Sequence, residues 1–204
     1  MQSVFSPDSK VMQALSRVFD LMVLNCLFLL CCLPVVTVGP ASAAMYTVCF
    51  RLGTDREEGV VRPFFRAFRE NLRQGVIAWL LFLLFFAMGL LDLLLLSQQS
   101  GGLSLLRIPV LVLLFLGVLI YGYVFPLLSQ FENKLLPTFK NAMLLSIAYL
   151  PRSIAIGILN LLPLALLVLN TYLFLQISVL WLFLYYAASA YLIARMLKPV
   201  FTPL

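Results

Sequence analysis

Long apolar runs are the feature of this sequence that most limits how it can fold. Val76–Leu96 carries only one charged residue, Asp92, in 21 positions. Three further runs are similar in length and composition: Ile108–Leu128, Ile154–Leu175 and Ile177–Leu197. About 20 apolar residues of α-helix cross the roughly 30 Å hydrocarbon core of a bilayer. The sequence therefore predicts four clear transmembrane helices.

The overall composition agrees with a membrane-spanning chain. Hydrophobic residues make up 63% and charged residues 11% of the sequence, and its mean hydropathy is +1.07. Soluble domains are about half apolar and a quarter charged. A transmembrane β-barrel would alternate apolar and polar residues, whereas these runs are continuously apolar. We predict an all-α, polytopic membrane protein in which residues 1–204 form a single membrane domain.

Basic residues are concentrated in alternate connecting segments. Arg51–Arg73 contains six arginines and Ser129–Arg152 contains three cationic residues, whereas the turn near Gln176 contains none. Cytoplasmic segments of membrane proteins are enriched in Lys and Arg, in agreement with the net charge of +6. We predict that the amphipathic basic segment 51–75, the interfacial segment 129–152 and the C-terminus are cytoplasmic, and that residues 1–17 are cytoplasmic or interfacial.

Two prolines and a glycine follow the first apolar run, and three interpretations account for them. Ala41-Ser42-Ala43 fits a signal-peptide cleavage site, but cleavage there would place the arginine-rich segment outside the cell. A second interpretation is one crossing, Val18–Val38, then an interfacial helix, which gives five crossings with the N-terminus outside. The third, which we favour, is a hairpin of two short helices, Val18–Cys32 and Val35–Leu52. It gives six membrane-embedded helices with both ends inside.

The hairpin requires a turn that is shielded from lipid, because unbonded backbone polar groups are not tolerated there. Thr37 suits the N-cap of the second helix, and Pro40 suits its first turn. Gly39 and Ala43 are small enough to let another helix approach closely. The predicted turn and packing residues are Pro34, Thr37, Gly39, Pro40, Ser42 and Ala43.

The basic segment contains arginines at helical spacing beside an arc of apolar residues. The arginines are Arg62, Arg66, Arg69 and Arg73, and the apolar residues are Phe64, Phe65, Phe68 and Leu72. An interfacial helix places rings at the acyl boundary and guanidinium groups on anionic lipid phosphates, which is the interpretation we favour. A docking surface for a cytoplasmic partner is the alternative. The predicted lipid or partner surface comprises Arg62, Phe65, Arg66, Phe68, Arg69 and Arg73, with anionic lipid of the cytoplasmic leaflet as its ligand.

Polar residues inside apolar runs are costly to bury, so each is a candidate site. Asn25 lies in the first apolar run and Asp92 lies in Val76–Leu96. Asn160 and Asn170 lie in Ile154–Leu175, on either side of Pro163. For the asparagines we favour interhelical hydrogen bonds. Asp92 lies toward the outer end of its run, so interfacial exposure or pairing with Arg107 is favoured over proton coupling.

Signatures of enzyme chemistry are absent from the sequence. There is no histidine, the usual metal ligand and neutral-pH base. Paired intramembrane aspartates, Gly-x-Ser-x-Gly, His-Glu-x-x-His and phosphate-binding glycine loops are missing as well. We predict no enzymatic activity, no catalytic, cofactor-binding or metal site, no cofactor and no nucleic-acid partner.

Three short sequence blocks follow one another in an order that is typical of a known family. Cys31-Cys32-Leu33-Pro34-Val35-Val36-Thr37-Val38-Gly39-Pro40-Ala41-Ser42-Ala43-Ala44-Met45-Tyr46 follows an early Asn25. Phe64-Phe65-Arg66-Ala67-Phe68-Arg69-Glu70-Asn71-Leu72 comes next, and Phe131-Glu132-Asn133 comes later. From about Asn25 to the C-terminus the chain resembles the YesL-like family, small bacterial membrane proteins of unassigned function. Where that family has Gly-Pro-Ser-Thr, this chain has Gly39-Pro40-Ala41-Ser42.

The resemblance implies a role beside carbohydrate transport. Members of the family are often encoded next to carbohydrate-uptake ABC transporters and polysaccharide-degrading enzymes, and the family supplies no catalytic residues. We therefore expect a non-catalytic accessory or assembly subunit for oligosaccharide uptake in the cell membrane, with ABC permease subunits as partners. A small stand-alone transporter or channel is the alternative, and an intramembrane enzyme is the least supported possibility.

Overall fold

The computed structural model describes residues 10–52, 59–97, 105–131 and 134–201, and the regular elements in these ranges are all helical. The first four are α1 (Lys10–Cys31), α2 (Val38–Arg51, after a 3-10 turn at Val35–Thr37), α3 (Val61–Glu70) and α4 (Leu72–Ser97). They are followed by α5 (Arg107–Gln130), α6 (Leu135–Ala148), α7 (Leu150–Leu169) and α8 (Thr171–Gln176). The chain continues through α9 (Ser178–Leu180), a π-helical segment (Trp181–Tyr185) and α10 (Tyr186–Phe201).

Five helices in the described part of the chain are long and apolar enough to cross a membrane. They are α1 from Val11 onward, α4, α5, α7 and the continuous segment Ser178–Phe201, which is called the last span below. The shortest has 20 residues, about 30 Å of helix. The prediction of an all-α, polytopic membrane protein is confirmed.

The predicted run Ile154–Leu175 is divided in the structure. α7 begins earlier, at Leu150, and ends at Leu169. Asn170 then adopts φ −150° and ψ 79°, and its side-chain oxygen accepts a hydrogen bond from the Leu173 N–H at 3.0 Å, so it caps α8. Such local side-chain hydrogen bonds compete with helix continuation. The connection to the last span therefore contains a separate helix rather than the minimal turn expected from the sequence.

α2 lies across one end of the bundle. Gly39, near its start, packs against Gly75, the fourth residue of α4. Near its other end, the Thr47 hydroxyl donates to the Ser129 carbonyl at the end of α5, at 3.5 Å. The Phe50 ring lies 5.7 Å from the ring of Phe201, the last residue of α10. Cys49, also in the last turn of α2, has its Sγ 3.9 Å from the Ala187 carbonyl near the start of α10. α2 therefore packs beside the start of α4, the end of α5 and the length of α10.

This position corrects the favoured hairpin and corresponds to the five-crossing alternative. α2 has 14 residues, about 21 Å of helix, and is too short to cross. α1 is longer than the predicted Val18–Cys32, because it begins at Lys10 and extends about 33 Å. Since α1 ends beside the start of α2, the first residues of α1 lie at the opposite end of the bundle from α2. The side of the membrane on which each end lies stays a prediction.

The position of α2 depends on a contact between backbones. A Cβ atom built on Gly39 would overlap the Gly75 carbonyl oxygen and would lie 2.8 Å from the Trp79 Cβ. A Cβ built on Gly75 would lie 2.6 Å from the nitrogen and 2.7 Å from the Cα of Pro40. Neither position has room for a side chain, because real Cβ contacts are not that short. The two glycines let α2 and α4 approach to backbone contact, as small residues do in membrane helix pairs.

The orientation of α1 can be tested by labelling single cysteines in a cysteine-free chain. If the arginine-rich end of the bundle is cytoplasmic, Val11 and Ser97 both lie at the outer end. A membrane-impermeant maleimide added to intact cells should therefore label Val11→Cys and Ser97→Cys. Arg66→Cys should react only after permeabilisation. A Val11→Cys that also required permeabilisation would restore the hairpin.

The contact between α2 and α4 can be tested at Gly39. Gly39→Ala places a methyl group on the Gly75 backbone, and overpacking of this kind costs about 1–3 kcal/mol. We expect a lower unfolding temperature in detergent and a lower yield of monodisperse protein. Gly157→Ala is the matched control, since this buried helical glycine has its nearest side-chain atoms at 3.6 Å from a built Cβ. Equal effects of the two substitutions would contradict the proposed contact.

Candidate lipid- and partner-binding surface

The turn that leads into α3 depends on Gly59. This residue has φ +62°, in the left-handed region that glycine adopts without strain. A Cβ built on it would meet nothing within 4 Å, so the backbone conformation alone calls for glycine. Pro63 lies in the first turn of α3, where the missing N–H has no helical acceptor to lose. These two residues fix where α3 starts.

One face of α3 packs on α2. Its buried residues are Val60, just before the helix, and Pro63, Phe64 and Ala67 within it, which recur at the 3.6-residue period. Phe64 is 0% exposed and belongs to the hydrophobic core. The expectation that the Phe64 ring lies at the acyl boundary is wrong, because this ring holds α3 against the bundle.

The opposite face of α3 carries the predicted surface. Arg62, Arg66 and Arg69 on α3 and Arg73, the second residue of α4, are all exposed. The single helix expected for the four arginines is therefore broken at Asn71. Phe65 is 49% exposed beside them, and Phe68 is partly buried. An open depression of about 670 Å³ is lined by Phe65, Arg66, Phe68, Arg69, Glu70 and Leu72. We call the six residues Arg62, Phe65, Arg66, Phe68, Arg69 and Arg73 the α3 surface.

The α3 surface is strongly cationic. Between Gly59 and Arg73 there are four arginines and one acid, Glu70. The only ion pair found among the described residues joins Arg66 Nε to Glu70 Oε1 at 3.9 Å, with both side chains about two-thirds exposed. Exposed pairs of this length contribute little to stability, so Arg66 stays available for another anion. Guanidinium groups bind phosphate and carboxylate oxygens in bidentate geometry.

Asn71 joins the α3 surface to the first residue of a spanning helix. Its side-chain Nδ2 donates to the Ala67 carbonyl at 3.0 Å, and its own carbonyl accepts from the Gly75 N–H at 2.7 Å. α3 therefore ends and α4 begins at a single residue, with hydrogen bonds on both sides. The α3 surface is held at the level where a membrane span starts.

The predicted turn residues lie next to this region but act differently from expectation in one case. Thr37 does occupy the N-cap position of α2, but it makes no cap hydrogen bond there. Its hydroxyl instead lies within hydrogen-bond distance of two carbonyls, those of Cys31 at the end of α1 and of Pro34 just before the 3-10 turn, and donates its single proton to this pair. Pro34 is exposed, and Pro40 lies in the first turn of α2. The Ser42 hydroxyl donates to the Val38 carbonyl at 2.8 Å, and Ala43 is fully buried.

Asn25 connects α1 to the π-helical segment of the last span. Its side chain is 0% exposed. Nδ2 donates to the carbonyls of Trp181 at 3.1 Å and Leu182 at 2.7 Å, and Oδ1 accepts from the Ala187 N–H at 2.9 Å. One amide group thus bonds three backbone groups around an irregular stretch of helix, in a place where water cannot do so.

The other three embedded polar residues are dispersed and do not form a common site. The side chain of Asn160 on α7 is half-buried, and its Nδ2 has no hydrogen-bond partner among the described residues. Asn170 lies at the end of α7 rather than inside a span, and it caps α8. Asp92 is exposed on α4. Arg107, its suggested partner, donates from Nε to the Leu96 carbonyl at 3.0 Å and links the ends of α4 and α5.

The buried serine and threonine hydroxyl groups of the bundle bond its backbone. Each donates to a main-chain carbonyl, in most cases three or four residues earlier in its own helix; the residues are Ser42, Thr47, Thr138, Ser146, Ser153 and Ser189. Within the described ranges, no three His, Cys, Asp or Glu side chains come together as a metal-binding group. The candidate surface therefore lies outside the bundle.

Two residues of this region were not singled out by the sequence. Gly75 is the contact partner of Gly39, and its signal was a glycine in the first turn of a span that is otherwise rich in large apolar residues. Glu70 pairs with Arg66 and lines the depression, and its signal was the four-residue spacing between the two.

Comparison with known proteins places the candidate surface inside a family match. A family model described as a protein of unknown function, DUF624, matches residues 21–93. This segment contains the second half of α1, all of α2 and α3, and most of α4. The chain is similar to that family over this part of its length. No curated protein and no solved structure matches the chain.

The hydrogen bonds of Asn25 can be tested by comparison with Asn160. Asn25→Leu would remove the hydrogen bonds that two carbonyls and one N–H of the last span make with the Asn25 amide, and a buried group left unpaired costs about 1–3 kcal/mol. We expect a marked fall in the unfolding temperature in detergent. Asn160→Leu removes an amide whose Nδ2 has no partner, and should be neutral or stabilising. A larger loss from Asn160→Leu would contradict this assignment.

Proposed function

We propose that the protein is a non-catalytic accessory or assembly subunit of a bacterial membrane complex that takes up oligosaccharides. In this proposal it is a YesL-like protein of the cell membrane and works beside the permease subunits of an ABC importer. The observation that carries the proposal is the division between the inside and the outside of the bundle. Most polar groups inside are bonded to its own backbone, with Asn160 Nδ2 and Trp79 Nε1 as exceptions among the described residues, whereas cations and aromatic rings are presented outside on the α3 surface.

The interior supports a packing role for the spans. Gly39 and Gly75 are in backbone contact with each other's helices, so these small residues are not available for contact with a helix of another membrane protein. The Gly89 and Gly117 positions are likewise closed by side chains, those of Leu114 and Phe85. The small-residue positions of α2, α4 and α5 are therefore already used within the bundle, and external binding has to rest on other groups.

The carbohydrate role rests on the family resemblance. The blocks around Pro34–Ala44 and Phe64–Leu72 that resemble the YesL-like family lie in α2 and α3 and in the turn before α2. They coincide with the segment matched by the family of unknown function. Because members are often encoded beside carbohydrate importers, the permease of such an importer is the partner we propose.

A small stand-alone transporter or channel is the alternative function. One observation favours it: the Asn160 amide is a buried donor without a partner inside α7, and such groups in spans are often part of a polar path. Purified protein in liposomes provides the test. Movement of a sugar or an ion by the protein alone would replace the accessory role with transport.

The accessory role predicts a physical and a genetic result. Tagged protein extracted in mild detergent should enrich permease subunits of a sugar importer, relative to an unrelated polytopic protein carrying the same tag. Deletion of the gene should impair growth on a complex glycan more than growth on a monosaccharide, and the wild-type gene should restore it. Equal growth on both sugars, with no permease enrichment, would contradict the proposal.

A further inference from the structure

The depression on α3 continues into the lipid-facing surface of a span. Leu72 lines the depression and is also the first residue of α4. Further along α4, large apolar side chains such as Leu80 and Leu84 are exposed. A molecule in the depression can therefore extend along α4 without leaving the surface of the protein.

The two sides of the depression differ in chemistry. Phe65, Phe68 and Leu72 form an apolar side, whereas Arg66 and Arg69 supply guanidinium groups. Arg62 and Arg73 extend the cationic side at both ends. A ligand that fits this arrangement has an anionic head with phosphate-like oxygens and a long apolar tail.

We infer that the α3 surface is a binding site for an anionic phospholipid. The phosphate of the lipid binds between Arg66 and Arg69, its glycerol region packs on Phe65 and Phe68, and its acyl chains follow α4 from Leu72. The inference deepens the proposed function and rests on it only in treating α3 as the external binding surface. The bound lipid fixes the depth of α3 at the leaflet.

A lipid fits the position of the surface better than a soluble acidic partner does. α3 is tied through Asn71 to the start of a span, so its exposed face lies beside lipid headgroups. Its exposed apolar groups, Phe65 at 49% and Leu72 at 43%, would meet water if the ligand were a small soluble anion. A phospholipid satisfies the cations and covers these apolar side chains at the same time.

The test measures which lipid the full-length protein retains. Detergent-solubilised protein is equilibrated with equimolar phosphatidylglycerol and phosphatidylcholine of matched chains, and bound lipids are counted by native mass spectrometry. The wild type should prefer phosphatidylglycerol by at least about five-fold, the effect of one cation near an anionic surface. The variant Arg62→Gln/Arg66→Gln/Arg69→Gln should bind the two lipids nearly equally.

A charge-matched variant separates a site from net charge. Arg17→Gln/Lys134→Gln/Lys140→Gln removes the same number of exposed cations away from α3 and should keep the preference. Loss of preference in both variants, or its absence in the wild type, would overturn the inference. If the α3 variant aggregates, Arg66→Gln alone is used, because its side chain is 68% exposed and is paired only with Glu70 among the described acids. It should lower the preference at least two-fold, and no change would overturn the site.

The measurements can also show that the α3 surface binds a protein rather than a lipid. Unchanged lipid preference combined with loss of permease enrichment in the α3 variant would show that the surface docks a protein, and would overturn the lipid site. Failure of the proposed function is distinct, because it appears as absence of permease enrichment in the wild type. The lipid measurement uses purified protein alone and is unaffected by that result.

Discussion

Backbone contact between Gly39 and Gly75 is the constraint on which the arrangement at one end of the bundle depends. It brings the first turn of α2 onto the start of α4, so a helix too short to cross the membrane lies across the bundle and is almost completely buried. α3 then packs on α2 through Phe64 and Ala67 and presents its arginines outward. The candidate surface is therefore positioned by a contact between two residues that have no side chains.

A membrane interior requires every backbone group to find a partner within the protein. Asn25 meets this requirement for the π-helical segment of the last span, where three main-chain groups bond to its amide. Near this segment, the Tyr185 hydroxyl donates to the Leu159 carbonyl at 2.8 Å and ties α7 to the last span. Near the start of α7, the Ser153 hydroxyl bonds the Tyr123 hydroxyl at 3.0 Å and the Ser146 carbonyl at 2.8 Å. Polar side chains in this bundle thus join helices.

The same division explains why binding is the function we propose. Groups that could form a polar path are mostly occupied by the backbone, and Asn160 Nδ2 is the exception among the embedded asparagines. Outside, cations and aromatic rings share one face of α3, and the depression on that face reaches Leu72 at the start of α4. Binding at the level of the headgroups uses the groups that the fold leaves accessible.

The sequence alone determined the class of fold and the helical face that carries the arginines. Continuous apolar runs can satisfy their backbone in lipid only as helices, and Arg62, Arg66 and Arg69 fall on one face of α3 whatever that helix packs against. The break at Asn71, which places Arg73 on α4, did not follow from the spacing of the arginines. Tertiary structure decided where α2 lies, because the local pattern of Pro34–Pro40 fits both a hairpin, which we favoured from the sequence, and an interfacial helix. It also decided that Phe64 is buried while Phe65 is exposed, since neighbouring aromatic residues differ only in which one meets α2. The hydrogen bonds of the Asn25 side chain could not be predicted from the sequence either, because their partners lie more than 150 residues further along the chain.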